Sequence, residues 1–344
     1  MVDGNKIFVL TGQKIELLYH WRVCLHGLLI LWTVLLAAPV WGRPLQLQME
    51  RDEIVRVPIG KGMSSVGAVA PQEGNPEGPM SFAVGEQEEV FILDQLNARI
   101  LIFRAKQRVG TIPLNFSGST TYSDIELLPG NRIVLLGKDY PSGEETSTLY
   151  LIDLHGRLFR RIPVQSPALG VRVIEHGKFS GIWIEQGNEM TRVATLSGEP
   201  EMAARVDGIL SFDGKKIIRA EIKKGFSVEL SISVSENKLP HASRHTISFD
   251  GEILQLLGIW NGSNDDVFLA TVWKSFSQDQ KNAVGTTMVV IRTGEGEVGR
   301  FNLAVQKTPY EIARPLRVTP DGRIFQMLVE RRFLNIVKYK LRFL

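Results

Sequence analysis

From Pro44 onwards, short apolar runs alternate with polar turns along almost the whole chain. Runs such as "EVFILD", "TLYLIDL", "DVFLATVW" and "RIFQMLVE" have the length of ordinary β-strands and are rich in β-branched and aromatic residues. Asp213-Gly214, Asp250-Gly251 and Asp321-Gly322 fall between such runs, and Asp-Gly supplies the positive φ angles of tight hairpin turns. Apolar residues at helical spacing form no long stretch here. The pattern predicts a series of antiparallel hairpins.

The hairpins recur at a nearly regular interval. Each unit has a short apolar strand, a Gly-containing turn and a second, more apolar strand, as in "SFAVGEQEEVFILD" and "DIELLPGNRIVLLG". The units begin near residues 81, 124, 171, 209, 256 and 316. Intervals of ~40–50 residues are typical of β-propeller blades, and the polar insert Ser275–Gly285 accounts for the longer last interval. The repeat predicts an all-β fold, a six-bladed β-propeller, over residues 43–344.

A proline pattern predicts how the ring closes. "VGTIPL" and "LFRRIPV" have the form of outermost strands that end in proline, which an edge strand tolerates. The same pattern occurs in "IVRVPIG", with Val55, Val57 and Pro58, before the first blade begins. The sixth unit stops after three strands. We therefore predict that Asp52–Ile59 pairs beside "NIVKYKL", completes the C-terminal blade and closes the ring.

The first 42 residues contain a hydrophobic leader. Its apolar core, Leu28–Ala38, has the length of a signal-peptide h-region, with Arg22 before it and Gly42 after it. This predicts cleavage near Gly42 and export to the periplasm or the cell exterior. The alternative is an uncleaved inner-membrane anchor, because residues 23–41 approach the ~20 apolar residues that span a bilayer. The single cysteine, Cys24, excludes an intramolecular disulfide.

The stretch "PMSFAVGEQEEVFILDQLNARILIF", residues 79–103, resembles one blade of an NHL-repeat propeller. The matching polar positions are Asp94, Asn97 and Arg99. The resemblance implies a six-bladed propeller of the NHL or lactonase-like type. We predict that Asp94 and Asn97 cap backbone N–H groups at the turn between two strands, and that Arg99 pairs with Asp94. A ligand-binding role for the trio is the alternative.

The same resemblance raises the question of a metal ion. Lactonase-like propellers hold a divalent cation in the central channel with Glu, Asn and Asp side chains. Candidate oxygen ligands here are Glu126, Glu175, Asp265 and Asp266, but no spacing makes them converge. We predict no cofactor and no catalytic or metal-binding residue, with a calcium ion in the channel as the alternative. His241 and His245 lie in a segment that favours a loop running into a strand, not a zinc-binding helix.

Charge and motifs limit the function classes. The formal net charge is +3, and the 40 basic residues are interspersed with 37 acidic ones, which argues against nucleic-acid binding. The sequence contains no Gly-x-Ser-x-Gly, phosphate-binding loop or dinucleotide fingerprint. We predict a monomeric, exported binding or interaction module of the cell envelope, which binds a protein, a saccharide or another small molecule on a loop face. The alternatives are a metal-dependent lactonase-like hydrolase or lyase, and a membrane-tethered structural subunit of an envelope complex.

Overall fold

The computed structural model describes residues 47–73, 75–115, 121–139, 146–165, 167–201, 204–234, 242–262, 265–275 and 283–343. The predicted leader, His241 and most of the polar insert lie outside these ranges. Within them, the helical structure is one 3-10 turn, Gln95–Asn97. No helix in the described part of the chain is long and apolar enough to cross a bilayer.

The strands follow the apolar runs of the sequence. In chain order they are β1 (Leu47–Pro58), β2 (Ser81–Val84), β3 (Val90–Asp94), β4 (Arg99–Arg104), β5 (Gln107–Pro113), β6 (Thr121–Leu128), β7 (Arg132–Asp139), β8 (Thr146–Asp153), β9 (Leu158–Val164), β10 (Gly170–Ile174), β11 (Gly181–Gln186), β12 (Glu189–Ala194), β13 (Arg205–Asp207), β14 (Ile209–Leu210), β15 (Lys216–Lys223), β16 (Ser227–Val234), β17 (Ser243–Ser248), β18 (Gly251–Asn261), β19 (Asp266–Ser275), β20 (Val284–Arg292), β21 (Gly296–Leu303), β22 (Leu316–Val318), β23 (Ile324–Val329) and β24 (Phe333–Phe343).

These strands form six four-stranded antiparallel sheets, which are the blades of a propeller. Blades 1 to 5 are β2–β5, β6–β9, β10–β13, β14–β17 and β18–β21, each in sequential order from the innermost strand outwards. Their innermost strands begin at residues 81, 121, 170, 209 and 251, and that of blade 6 begins at residue 316. The structure confirms the all-β, six-bladed fold that the repeat predicts.

Blade 6 is built from both ends of the described chain. Its strand order is β22-β23-β24-β1, and β1 pairs antiparallel with β24 from Leu47 opposite Phe343 to Pro58 opposite Phe333. The N-terminal strand thus occupies the position predicted for Asp52–Ile59, and it begins earlier, at Leu47. Pro58 ends this outermost strand, where its missing N–H costs no ladder bond.

The hydrophobic core lies between neighbouring blades, because alternate side chains on each sheet face the next sheet. Val55 and Val57 of β1 are buried in a cluster that also contains Phe82 and Val90 of blade 1 and Ile336 of β24. This cluster fills the seam between blades 6 and 1. Below, the end of the propeller at which the innermost strands begin is called the upper end, and the opposite end is the lower end.

Deletion of β1, residues 47–58, should prevent cooperative folding. The deletion removes Val55 and Val57 from the seam cluster and leaves the outer edge of β24 without its partner strand. We expect loss of a single sharp thermal transition, measured by circular dichroism, together with aggregation. Both chains in this comparison lack residues 1–42, and the matched control keeps β1. A β1-deleted chain that melts like this control would contradict the importance of the closing strand.

Candidate functional site

The centre of the ring holds a cluster of ionisable side chains, which we call the channel network. Three arginines and three carboxylates take part, and five of the six are less than 10% exposed. The arginines lie on β10, on β22 and in the segment before β22, whereas the carboxylates lie on β6 and β11. The network consists of Asp124, Glu126, Arg172, Glu185, Arg314 and Arg317.

Arg317 joins blade 6 to blades 1 and 2. Its guanidinium donates to the carboxylates of Asp124 and Glu126, at 2.6 Å in both cases. It also donates to the backbone carbonyl of Phe82 at 2.6 Å and to the Ser81 hydroxyl at 2.9 Å. Because a guanidinium offers five N–H donors in a fixed planar fork, one side chain can serve several blades at once.

Glu185 lies between the other two guanidiniums. Arg172 donates to it from Nε at 2.9 Å, and Arg314 donates to its second carboxylate oxygen. Arg172 also donates to the carbonyls of Leu210 at 3.3 Å and Ile259 at 3.1 Å, which belong to blades 4 and 5. The network therefore makes polar contact with all six blades.

Glycine at position 170 allows Arg314 to reach Glu185. A Cβ atom placed on Gly170 would lie 1.6 Å from Nη2 of Arg314 and 2.4 Å from its guanidinium carbon. Any other residue at the start of β10 would displace the guanidinium. The requirement is close approach of a side chain to the backbone, which is a common reason for glycine within a strand.

The electrostatics of the network are balanced, with three guanidiniums and three carboxyl groups. Burial alone would raise the pKa of Glu185, but the charges and hydrogen bonds of Arg314 and Arg172 outweigh it and bring the pKa to about 2. Burial raises the pKa of Glu126, and the charge of Arg317 offsets only part of that rise. The same ion pairs raise the pKa of Arg314 despite its burial. Glu185 is thus firmly ionised at neutral pH.

The network does not fit a divalent cation. Asp124 accepts hydrogen bonds from Ser81, Arg317 and the backbone N–H of Val171, and Glu185 is shared by two guanidiniums. A metal ion would have to displace these donors and remain next to three fixed positive charges. No group of three or more His, Cys, Asp or Glu side chains suited to a metal occurs in the described ranges.

The four candidate metal ligands lie in different places. Glu126 belongs to the channel network. Glu175 is exposed after β10 at the lower end of blade 3. Asp265 and Asp266 are at the lower end of blade 5, where Asp265 pairs with Lys216 at 2.6 Å and Asp266 pairs with Arg292 at 3.0 Å. His245 lies on β17, as expected for a loop running into a strand.

Asp94, Asn97 and Arg99 hold the segment that follows β1 against the upper end of blade 1. Asp94 is fully buried and accepts the backbone N–H of Gly67 at 2.8 Å. Asn97 donates to Asp94 at 2.9 Å, and Arg99 pairs with Asp94 at 2.8 Å, as predicted. Arg99 also donates to the carbonyl of Ser65 at 2.7 Å. The trio therefore fastens the seam between blades 6 and 1.

One detail of the predicted motif is wrong. Asp94 makes no side-chain cap to its own turn, Gln95–Asn97, but binds Gly67 instead. The Asn97 amide, predicted to cap a backbone N–H, donates to the Asp94 carboxylate. The physical reason is that the segment after β1 brings the backbone N–H of Gly67 to this buried position, and the Asp94 side chain supplies an acceptor for it. Sequence patterns report on local turns and do not show which distant segment lies beside them.

Two turns of blade 1 fasten the same seam at the lower end. Glu88 contacts Lys338 of β24 and lies 2.9 Å from Arg323 of blade 6, while Lys106 lies 3.6 Å from Asp52 of β1. Glu88 and Lys106 have φ angles of 61° and 69°, which favour glycine or asparagine. Both positions nevertheless hold a long charged residue, and the side chains of Glu88 and Lys106 reach partners on blade 6.

Exposed apolar side chains are concentrated at the upper end. Of the twelve large apolar residues exposed in the described ranges, the three in the lower half are Val109, Phe159 and Val234. The nine at the upper end are Met63, Val69, Leu96, Leu169, Ile222, Phe226, Leu254, Val284 and Val305. Their assignment follows from the strand directions, because innermost and third strands begin at the upper end and second and fourth strands end there.

Several solved structures are similar to this chain at low sequence identity. No protein-family model matches the sequence, and no curated protein matches it. Similar solved structures include virginiamycin B lyase from Staphylococcus aureus, with 9% identity over 86% of this chain and 100% of that chain and a TM-score of 0.44. A glucose dehydrogenase has 14% identity over 76% of this chain and 96% of that chain, with a TM-score of 0.45. A functionally unknown protein from Desulfotomaculum acetoxidans has 11% identity over 76% and 82% and a TM-score of 0.44.

The repeat and turn patterns do not predict the channel network, although the sequence carries a signal for it. Arg172 and Arg317 stand inside the innermost-strand runs "VRVI" and "LRV", and Asp124 and Glu126 stand inside "DIELL". Charged residues in strands that are otherwise buried need partners. The sequence could therefore have marked these positions as internal ion pairs, but it could not have assigned the pairs.

Asp94→Ala should destabilise the protein through the seam. The substitution leaves the N–H of Gly67 and the guanidinium of Arg99 without their buried acceptor, at a cost of about 2–4 kcal/mol. Asp153→Ala is the matched control, since the side chain of Asp153 bonds within its own turn, to His155 and Arg157. Urea unfolding should show a clearly larger loss for Asp94→Ala. Equal losses in the two variants would contradict a role for Asp94 in holding the seam.

Glu185→Gln should change the acid sensitivity of the fold. The folded-state pKa of Glu185 is lowered from 4.5 to about 2, so its stabilising effect is complete above pH 4.5 and is lost as the pH falls towards 2. That shift corresponds to about 3 kcal/mol. We expect the variant to lose about this much unfolding free energy at pH 7 and to show a flatter pH dependence of stability between pH 4.5 and 2.

The control for this experiment is Glu126→Gln. The pKa of Glu126 is raised in the folded protein, so ionisation of this group lowers the free energy of unfolding as the pH rises. Glu126→Gln should therefore lose less unfolding free energy at pH 7 than Glu185→Gln. Urea titrations at a series of pH values measure both effects. A Glu185→Gln curve parallel to that of the unsubstituted protein would show that the network does not hold Glu185 ionised.

Proposed function

We propose that this protein is an exported β-propeller binding module of the cell envelope, which recognises another protein through its upper end. The observation that supports this most strongly is the channel network, in which arginines and carboxylates paired with one another fill the part of the ring where lactonase-like propellers hold a divalent cation. The concentration of exposed apolar side chains at the upper end supports the choice of surface. The hydrophobic leader supports export.

The chemistry of the channel argues against a hydrolase or lyase. Such an enzyme needs a base, a nucleophile or a metal-bound water that can reach the substrate. Asp124 and Glu185 are buried and already accept two or more hydrogen bonds each, and Glu126 pairs with Arg317 at 2.6 Å. Each carboxylate is therefore held as an acceptor for a neighbouring arginine.

The exposed apolar residues favour a protein as the partner over a small ligand. They are spread over the upper ends of several blades, whereas a small molecule binds in one concave pocket. Two of the segments that carry these residues are neighbours, because the carbonyls of Gly225 and Phe226 accept the N–H groups of Ile253 and Phe249. These backbone bonds place the segment with the exposed Phe226 beside the start of the strand with the exposed Leu254. Apolar patches of this kind typically mark protein contacts.

The described chain enters the propeller at its lower end. β1 begins at the lower end with Leu47 and finishes at the upper end with Pro58. A tether that joins the chain before Leu47 would therefore attach at the lower end. The membrane-tethered version of the module is a second form of the same proposal, and N-terminal sequencing of the protein isolated from its host distinguishes the two.

Site-specific photo-crosslinking in the native host tests which end recognises a partner. A photoreactive residue is placed at Leu169 or Leu254 at the upper end, and at Val109 or Phe159 in the lower half. These four positions have matched exposures of 55%, 50%, 56% and 45%. We expect a discrete protein adduct from the upper positions and none from the lower ones. Adducts from the lower positions alone, or from no position, would contradict the proposal.

A further inference from the structure

Four basic side chains lie together at the upper end of blade 6, and we call them the basic patch. They come from the segment after β1, from the connection between blades 5 and 6, and from the turn between β23 and β24. All four are exposed. The basic patch consists of Lys61, Lys307, Arg331 and Arg332.

Backbone contacts bring the three segments together. The N–H of Ile59 donates to the carbonyl of Arg332 at 2.9 Å, which places Lys61 close to the turn. The side-chain amide of Gln306 accepts the N–H of Val329 at 3.0 Å and donates to its carbonyl at 2.8 Å. The Gln306 amide thus bonds to both backbone groups of Val329, as the backbone of a neighbouring strand would. These two bonds hold Lys307, the next residue, beside the same turn.

The basic patch carries an excess of positive charge. The segments 59–63, 305–308 and 329–332 contain these four cations and one acid, Glu330. Within the described ranges, no carboxylate forms an ion pair with any of the four. Elsewhere on the surface, arginines are commonly paired, as in Arg192 with Glu201 at 2.7 Å and Arg300 with Glu297 at 2.6 Å.

Exposed apolar side chains belong to the same segments. Met63 is 78% exposed, and Val305 is 38% exposed. Cations next to exposed apolar groups can bind a surface that offers carboxylates together with apolar side chains. We propose that the basic patch docks an acidic, partly apolar polypeptide segment of the partner protein. This inference rests on the proposed function. It identifies the basic patch as the part of the upper end that attracts the partner protein by charge.

The position of the basic patch favours a polypeptide over an anionic membrane surface. The chain enters the propeller at Leu47, and β1 runs 12 residues from there to Pro58 at the upper end. At about 3.3 Å per residue, the patch is ~40 Å from Leu47, the lower end of β1. Attraction between exposed charges is screened over about 8 Å at physiological salt, so the patch acts on a partner that reaches the upper end.

The test uses a fluorescent 20-residue peptide that contains Glu and Leu in a 3:1 ratio, and the protein as its host produces it. We expect saturable binding that weakens as salt is added. The combined charge reversal Lys61→Glu, Lys307→Glu, Arg331→Glu and Arg332→Glu should weaken the binding by about tenfold or more. Circular dichroism confirms that the variants remain folded, which is expected because all four side chains are exposed.

The matched control reverses four other exposed cations, Arg51, Lys224, Arg244 and Lys340, and so changes the net charge equally. It should keep the peptide affinity. Equal weakening in both variants, or no binding by the unsubstituted protein, would overturn the proposal. Patch-dependent binding to phosphatidylglycerol vesicles without peptide binding would overturn it in favour of a lipid surface. If upper-end crosslinks form and survive reversal of the patch, only this inference fails and the proposed function stands.

Discussion

The structure depends on the pairing of three guanidiniums with three carboxylates, five of these six groups being buried, where six sheet edges meet. The innermost strands turn polar backbone groups towards the channel, and these groups need partners. Arginine supplies enough donors to satisfy the carbonyls of Phe82, Leu210 and Ile259 while it neutralises the buried carboxylates. Loss of one member would leave a charge buried without its partner, which typically costs several kcal/mol. The blades are therefore coupled through their common centre.

Ring closure explains why the motif with Asp94 stands in blade 1 and is absent from the other repeats. Blade 1 borders the seam where β1 completes blade 6. Blade 1 contacts blade 6 and the segment after β1 at three places. Asp94 binds Gly67 at the upper end, the Phe82 carbonyl accepts a hydrogen bond from Arg317 in the channel, and Glu88 pairs with Arg323 at the lower end. A closed, rigid ring can carry recognition residues at its upper end without any chemistry in its channel.

The sequence predicts the parts of this structure that depend on local periodicity. Strand length, turn residues and repeat spacing give the blades, and a proline such as Pro58 marks an outermost strand. The contacts at the centre depend on which strands meet once the ring has closed. Arg317 and Asp124 are separated by 193 positions, and only the ring brings them together. The basic patch is likewise assembled from three segments, and no one of them has an unusual composition.

Native-state hydrogen exchange at increasing urea concentration tests the coupling of the blades most directly. If the channel network and the closed seam join the six blades into one unit, the slowest backbone amides of the second strands, β3, β7, β11, β15, β19 and β23, should open with one common free energy. That value should equal the free energy of global unfolding. A blade whose slowest amides exchange through an opening of clearly lower free energy would contradict the account.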